Sequence, residues 1–80
     1  MNDKGRLRWH CRRGMKELDV LLEGYLASRY DAAPQAERDA FSALLTLPDP
    51  QLLDYVTGRA APSDAVTADV VERLRASRRA

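Results

Sequence analysis

The sequence predicts an all-α fold, a small compact bundle of about five helices in one domain spanning residues 1–80. In four stretches, apolar residues recur at intervals of three and four, which is the spacing of the buried face of an amphipathic helix. No stretch alternates apolar and polar residues as a half-buried strand does, and no Asn-Gly or Asp-Gly hairpin turn occurs. Proline or glycine separates one stretch from the next.

The spacing places the helices at about residues 4–12, 15–30, 35–47, 50–57 and 64–77. Gly14 separates the basic first helix from the long second helix. The apolar stripe of the second helix consists of Met15, Leu18, Leu21, Leu22, Tyr25 and Leu26. Pro34 disfavours helical geometry at Ala33 and can itself open the third helix. That helix contributes Ala40, Phe41, Leu44 and Leu45.

The last two helices have recognisable ends. Asp49 and Pro50 are typical of an N-cap followed by proline in the first turn, and Gly58 is typical of a C-terminal cap. The segment Pro62-Ser63-Asp64 opens the fifth helix. The apolar residues of this pair of helices are Leu52, Leu53, Val56, Val66, Val70, Val71 and Leu74.

Length and composition limit the functions that the chain can have. Eighty residues with 45% hydrophobic and 31% charged residues make an ordinary globular domain with a thin core and little room for a deep substrate pocket. The single cysteine excludes an intramolecular disulfide, and the first residues lack the apolar core of a signal peptide. No apolar run approaches the roughly 20 residues that span a bilayer. We therefore expect a cytoplasmic protein without membrane insertion.

Charge is distributed unevenly along the chain, although the net charge is only +1. Residues 1–16 contain six basic residues and one acidic residue, whereas residues 17–57 contain eight acidic and two basic residues. Such a polarised surface can steer a partner during encounter, but it does not identify the partner.

The residue types do not assemble a catalytic or metal site. His10 is the only histidine and Cys11 the only cysteine, so a zinc site lacks half of its four ligands. Neighbouring helical side chains diverge, which disfavours a Cys-His nucleophile pair and leaves a partly buried Cys11 beside a surface His10. The four glycines form no phosphate-binding loop, and carboxylates two apart, such as Glu17 and Asp19, do not face each other. We expect a non-enzyme without a cofactor of its own.

Nucleic-acid binding is the alternative that the basic N-terminal stretch raises. The arginines of residues 6–13 can neutralise phosphates, and Trp9 can stack on a base. The acidic middle of the chain opposes a broad approach of a duplex. The fourth helix, which could mimic a recognition helix, contains neither Arg nor Lys. A small basic-tailed nucleic-acid-binding domain is therefore the second hypothesis.

The segment from Arg13 to Asp19 is the most unusual local feature. One interpretation is structural: Gly14 caps a helix end, and Glu17 reaches back in an arrangement like a capping box. The other is functional: the missing side chain of Gly14 lets a partner's backbone approach closely, while Arg13 and Glu17 flank it with opposite charges. The local pattern by itself favours the structural interpretation.

The block from Trp9 to Asp19, WHCRRGMKELD, resembles the signature of the succinate dehydrogenase assembly factors that promote flavin attachment. Its Arg13, Gly14 and Glu17 match the Arg-Gly-x-x-Glu core of that signature. The similarity covers nearly the whole chain, through Tyr30-Asp31, Phe41…Leu44-Leu45, Asp49-Pro50-x-Leu52 and Pro62-x-Asp64. The very short N-terminal extension is similar to that of bacterial members and unlike that of mitochondrial ones.

The resemblance implies a five-helix assembly-factor domain that binds the flavoprotein subunit of succinate dehydrogenase, and in bacteria also that of fumarate reductase. Such factors assist the covalent attachment of FAD to a histidine of that subunit. The bond is implied to form autocatalytically within the flavoprotein, while the factor holds its partner in a competent arrangement. FAD then belongs to the partner.

The resemblance also implies a partner-binding surface centred on Arg13, Gly14 and Glu17. We expect Gly14 to let the flavoprotein backbone pack against the second helix, and Arg13 and Glu17 to bond to polar groups near the flavin site. The predicted surface extends to Arg8, Trp9, Arg12, Met15, Lys16 and Asp19. A third hypothesis, a structural subunit of another complex, predicts an obligate partner without an effect on flavin.

Overall fold

Five α-helices and one short 3-10 helix make up the part of the chain that the structure, a computed structural model, describes: residues 3–79, with the side chains of residues 5–76. The helices are α1 (Asp3–Cys11), α2 (Lys16–Ser28), α3 (Gln35–Leu44), α4 (Asp49–Thr57) and α5 (Ala65–Arg79). The 3-10 helix spans Tyr30–Ala32, and no strand occurs in this range. The predicted all-α bundle of five helices is confirmed.

Two helices end two or more residues earlier than the sequence predicts. Helix α2 ends at Ser28, and the chain tightens into the 3-10 helix because Pro34 excludes helical geometry at Ala33 (φ −75°, ψ 146°). Helix α3 ends at Leu44, three residues before the predicted end. The Leu47 N–H donates to the Leu44 carbonyl at 3.1 Å in a 3-10 pattern, and Pro48 follows.

Helix α4 ends at the predicted residue and begins one residue earlier than predicted. Pro48 occupies the N-cap position, so Asp49, the predicted cap, is the first helical residue and Pro50 lies within the first turn. Gly58 adopts the left-handed conformation (φ 84°) that the C-terminal cap requires, as predicted. At the start of α5, the Asp64 carboxylate accepts hydrogen bonds from the Thr67 N–H and hydroxyl, both at 2.9 Å.

The core lies between α5 and the helices α2, α3 and α4, while α1 packs mainly against α2. The radius of gyration is 11.4 Å, against about 12 Å expected for a folded domain of this length. The predicted apolar stripes are buried with three exceptions: Val66 is 37% exposed, and Met15 and Leu53 are only partly buried. Within the described part of the chain, every helix is too short or too polar to cross a lipid bilayer.

Helix α1 is attached to the core by few apolar side chains. Among its described residues, Leu7 and Cys11 are buried, one helical turn apart, and His10 is exposed as predicted. Cys11 is completely buried, which exceeds the partial burial that we expected. Burial raises the pKa of the Cys11 thiol to about 11, with a further contribution from Glu23. The thiol therefore stays protonated and serves as a core side chain.

One buried carboxylate connects three elements of the bundle. Glu37 on α3 accepts a hydrogen bond from the Tyr25 hydroxyl of α2 at 2.5 Å and two from Arg29 at 3.0 and 3.1 Å. Arg73 of α5 lies 3.6 Å from the same carboxylate. The hydrogen bonds from Arg29 lower the pKa of Glu37 to about 2 against the opposing effect of burial. The Tyr25 ring stacks on Phe41 with a centroid distance of 4.4 Å, so that the cluster is continuous with the apolar core.

We expect Glu37→Gln to lower the free energy of unfolding by about 1–3 kcal/mol at pH 7, because it removes the charge that Arg29 and Arg73 pair with. The wild-type contribution of Glu37 is complete above its ordinary pKa of 4.5 and is lost as the pH falls toward about 2. Urea unfolding between pH 7 and pH 2.5 measures both effects. The Asp39→Asn control, at an exposed position of the same helix, should keep the wild-type pH dependence. A Glu37→Gln profile parallel to that of the wild type would contradict this assignment.

Candidate functional site

The predicted binding segment lies at the junction between α1 and α2. Helix α1 closes with a hydrogen bond from the Arg12 N–H to the Trp9 carbonyl at 3.2 Å. Gly14 then turns the chain with φ 78°, a left-handed conformation that costs a residue with a Cβ atom about 1–2 kcal/mol. Met15 is the N-cap of α2, and no side chain caps the helix from that position.

The junction is held to α2 by a carboxylate. The backbone N–H of Arg13 donates to Oδ1 of Asp19 at 2.6 Å. Asp19 thus makes a contact that reaches back from the first turns of α2. The capping role of Glu17 stays a prediction. Asp19 is half-buried, in keeping with this internal role.

The side chain of Arg13 points toward the α3–α4 connection. Its Nη1 donates to the Leu47 carbonyl at 3.1 Å and lies 3.4 Å from Oδ1 of Asp49, and its Nη2 donates to the Leu45 carbonyl. Only 15% of the side chain is exposed, and Nε is buried with no hydrogen-bond partner among the described residues. We call this set of contacts to Leu45, Leu47 and Asp49 the Arg13 latch.

Sequence reasoning missed the residues of the latch. Asp49 is 36 positions from Arg13, and two of the acceptors are backbone carbonyls that any residue type supplies. The available signals were the helix end at Leu47-Pro48 and the acidic residue that follows it. A helix C-terminus attracts cations, but neither signal indicates which of the 13 basic residues reaches it.

Six of the nine predicted surface residues are exposed together along α1 and the start of α2. We call them the α1–α2 face; they are Arg8, Trp9, Arg12, Gly14, Lys16 and Glu17. The remaining three, Arg13, Met15 and Asp19, are half-buried. No heavy atom lies within 4 Å of the place where a Cβ atom on Gly14 would stand, so the backbone there is open to an approaching partner.

The α1 part of this face contains a shallow recess of about 310 Å³ lined by Gly5, Arg8, Trp9 and Arg12. These residues follow the spacing of one helical side, opposite the side that buries Leu7 and Cys11. The Trp9 side chain is 78% exposed, which is unusual for a large apolar group outside a binding surface. The recess therefore presents two guanidinium groups beside an indole ring, and it suits an acidic segment that also carries apolar groups.

The basic residues of this face differ from those that pair with carboxylates elsewhere in the bundle. In the described ion pairs, cations come from Arg13, Arg29, Arg73 and Arg75, and none comes from Arg8, Arg12 or Lys16. The three basic side chains of the α1–α2 face are thus left to interact with solvent or a partner. Unpaired cations of this kind speed the association with an acidic surface.

The described residues include no group of three or more His, Cys, Asp or Glu side chains placed to hold a metal ion. His10 faces solvent while Cys11 is buried, so the two neighbours do not cooperate.

Comparisons with known proteins match the chain almost throughout. A protein-family model described as flavinator of succinate dehydrogenase matches residues 5–78. The chain is 46% identical over 76 residues to the FAD assembly factor SdhE of Methylococcus capsulatus, covering 95% of this chain and 92% of that protein. It is 35% identical over 69 residues to the FAD assembly factor SdhE of Coxiella burnetii, covering 86% and 84%. Against the protein of the same name from Yersinia pestis it is 31% identical over 80 residues, covering 100% and 91%.

We expect Gly14→Ala to lower the free energy of unfolding by about 1 kcal/mol, since the strain at φ 78° is its only cost. Gly14→Asn should cost less, because Asn tolerates the left-handed conformation. Gly58→Ala should cost at least as much as Gly14→Ala, since its Cβ would meet Arg75 Nη2 at 3.1 Å. Chemical unfolding of the three variants measures these differences. A loss of several kcal/mol for Gly14→Ala would show that this position is packed and not open.

Proposed function

Because this chain belongs to the family of succinate dehydrogenase flavinators, we propose that it binds the flavoprotein subunit of succinate dehydrogenase and promotes covalent attachment of FAD to it. The observation that carries this proposal is the family match over residues 5–78, which includes the whole α1–α2 face. We assign the flavoprotein contact to that face. The relatives named FAD assembly factor support this function over nucleic-acid binding.

In this proposal the chain supplies binding energy and no reacting group. A protein that binds one conformation of its partner more tightly than another raises the population of that conformation. A preference of about 1.4 kcal/mol changes the ratio of the two populations about tenfold. The α1–α2 face binds the conformation of the flavoprotein in which attachment of FAD can proceed. It thereby increases the yield of covalently attached FAD, which remains the partner's cofactor.

Each exposed residue of the face has a distinct contribution in this mechanism. Gly14 admits the flavoprotein backbone, because no side chain occupies the space above it. Trp9 supplies apolar area, and large aromatic side chains contribute disproportionately to affinity. Arg8, Arg12 and Lys16 attract acidic groups of the partner and orient its approach. Glu17 adds one negative charge to an otherwise basic face, which helps to discriminate between partner surfaces.

The same surface suits a second flavoprotein of related shape, so we extend the proposal to the flavoprotein subunit of fumarate reductase. We place the function in the cytoplasm. The free thiol of Cys11 is compatible with that reducing compartment.

We expect Gly14→Gln to reduce covalent flavin in the partner at least tenfold, whereas Gly14→Ala retains most of it. Both variants carry the same backbone strain, but only glutamine fills the space that a partner backbone would occupy. The experiment co-expresses each variant with the succinate dehydrogenase flavoprotein in a host without its own assembly factor. Fluorescence of covalently bound flavin is then measured after denaturing electrophoresis.

Two controls complete this experiment: a lane without any factor, and thermal unfolding of each purified variant. Equal flavin fluorescence in every lane would overturn the proposed function. Salt-sensitive binding to duplex DNA by the same preparation would then support the alternative nucleic-acid-binding hypothesis.

We expect Trp9→Ala to weaken flavoprotein binding about tenfold or more without lowering thermal stability, because the 78% exposed ring contributes little to the core. Val66→Ala is the matched control, since Val66 is an exposed apolar residue of α5 and not a member of the α1–α2 face. Isothermal titration of the purified flavoprotein with each variant measures the affinities. Unchanged binding by Trp9→Ala, or an equal loss with Val66→Ala, would contradict the assignment of the α1 recess to the interface.

A further inference from the structure

Arg13 is the one residue of the Arg-Gly-x-x-Glu core whose side chain turns into the protein. Its guanidinium group contacts the Leu45 and Leu47 carbonyls and lies 3.4 Å from the Asp49 carboxylate, all in the connection between α3 and α4. The side chain is 15% exposed, whereas its neighbours Arg12 and Gly14 face solvent. A partner docking on the α1–α2 face would therefore meet the backbone at Arg13 and little of its charge.

The position that the guanidinium occupies suits a cation. Helix α3 ends at Leu44, and the carbonyls of Leu45 and Leu47 just beyond it accept no backbone hydrogen bond among the described residues. The dipole of the helix also makes this end negative. Arg13 supplies donors to two of these carbonyls and pairs with Asp49, so it joins the end of α3 to the start of α4.

Arg13 is held at its backbone as well as at its side chain. Its N–H donates to the Asp19 carboxylate of α2 at 2.6 Å, while its guanidinium group reaches the α3–α4 connection. Gly14 is the next residue, and a glycine at φ 78° has no side chain with which to hold its own position. These two contacts of Arg13, one through its backbone and one through its side chain, therefore fix the position of the exposed backbone at Gly14.

We propose that Arg13 and Asp49 are positioning residues for flavoprotein binding. The Arg13 latch holds the backbone at Gly14 in the conformation that the flavoprotein recognises. This inference rests on the proposed function. It replaces the expectation from the sequence that the Arg13 guanidinium bonds to polar groups near the flavin site. It also assigns a role to Asp49, which lies outside the α1–α2 face. Asp49 contributes to binding through Arg13.

The latch depends on the planar guanidinium group and not on positive charge alone. Arginine presents several N–H donors in a fixed geometry, whereas a lysine ammonium is a compact point charge on a flexible stem. A lysine at position 13 would keep the charge but could not bind the two carbonyls and Asp49 together. Comparing arginine with lysine at position 13 therefore distinguishes the latch from a contact that needs only a positive charge.

The experiment compares Arg13→Lys, Arg13→Ala, Asp49→Ala and the double variant Arg13→Ala/Asp49→Ala. The probe is the purified flavoprotein subunit of succinate dehydrogenase without covalent FAD. Affinity is measured by isothermal titration and covalent flavin by fluorescence after denaturing electrophoresis. Asp64→Ala is the matched control, because it also removes an acidic residue at a helix start but leaves the latch intact.

We expect Arg13→Ala and Arg13→Lys to weaken binding about tenfold or more, which corresponds to about 1.4 kcal/mol. Asp49→Ala should weaken binding several-fold, and the double variant should bind no more weakly than Arg13→Ala because both changes break one unit. Asp64→Ala should lower thermal stability through its lost cap while the affinity stays at the wild-type value. Amide hydrogen exchange at residues 13–17 should be faster in Asp49→Ala than in Asp64→Ala.

Three results would overturn the latch: wild-type affinity for Arg13→Lys, wild-type affinity for Asp49→Ala, or additive losses in the double variant. Each of them leaves the proposed function standing, since the wild-type chain still binds. Failure of the wild-type chain to bind the flavoprotein would instead overturn the proposed function, and the latch with it.

Discussion

The buried carboxylate of Glu37 is the interaction on which the arrangement of the longer helices depends. It receives hydrogen bonds from Tyr25 and Arg29 and a longer contact from Arg73, so that α2, α3 and α5 meet at one charged group. An 80-residue chain buries a limited apolar area, so its core constrains the relative orientation of the helices only weakly. A charge cluster in which every group is hydrogen-bonded adds that constraint. Breaking such a cluster leaves a buried charge without compensation, which makes alternative packings of the three helices unfavourable.

With the bundle oriented in this way, basic residues fall into two groups with different roles. Arg29, Arg73 and Arg75 pair with carboxylates, and Arg38 donates to the Asp31 and Ala33 carbonyls at the 3-10 helix. Arg8, Arg12 and Lys16 take part in none of the ion pairs among the described residues, and Arg8 and Arg12 line the recess beside the exposed Trp9. The first group stabilises the fold. The second group forms a basic surface that suits the flavoprotein contact that we propose.

In the proposed function, the rest of the protein fixes the backbone of the α1–α2 face that holds the partner. Helix α1 contributes only Leu7 and Cys11 to the described core. Gly14, in its left-handed conformation, has no side chain that could pack against the bundle. The internal bonds of Arg13 and Asp19 compensate for this sparse packing. A binding surface with a fixed backbone loses less conformational entropy on association, and more of its contact energy then appears as affinity.

Local sequence patterns determined the helices and most of the core, because the spacing of apolar residues and the positions of proline and glycine act within a few residues. The cap at Gly58 was predictable on the same basis, and the family was predictable from the resemblance of the Trp9–Asp19 block to a known signature. Tertiary structure alone decided that Glu37 is buried and that Arg13 turns inward, since their partners lie on other helices, up to 36 positions away. In the sequence Glu37 looks like an ordinary surface charge near the start of a helix, and Arg13 looks like an exposed residue that contacts a partner. Only the packing of the helices brings donors and acceptors close enough to offset the cost of burying them.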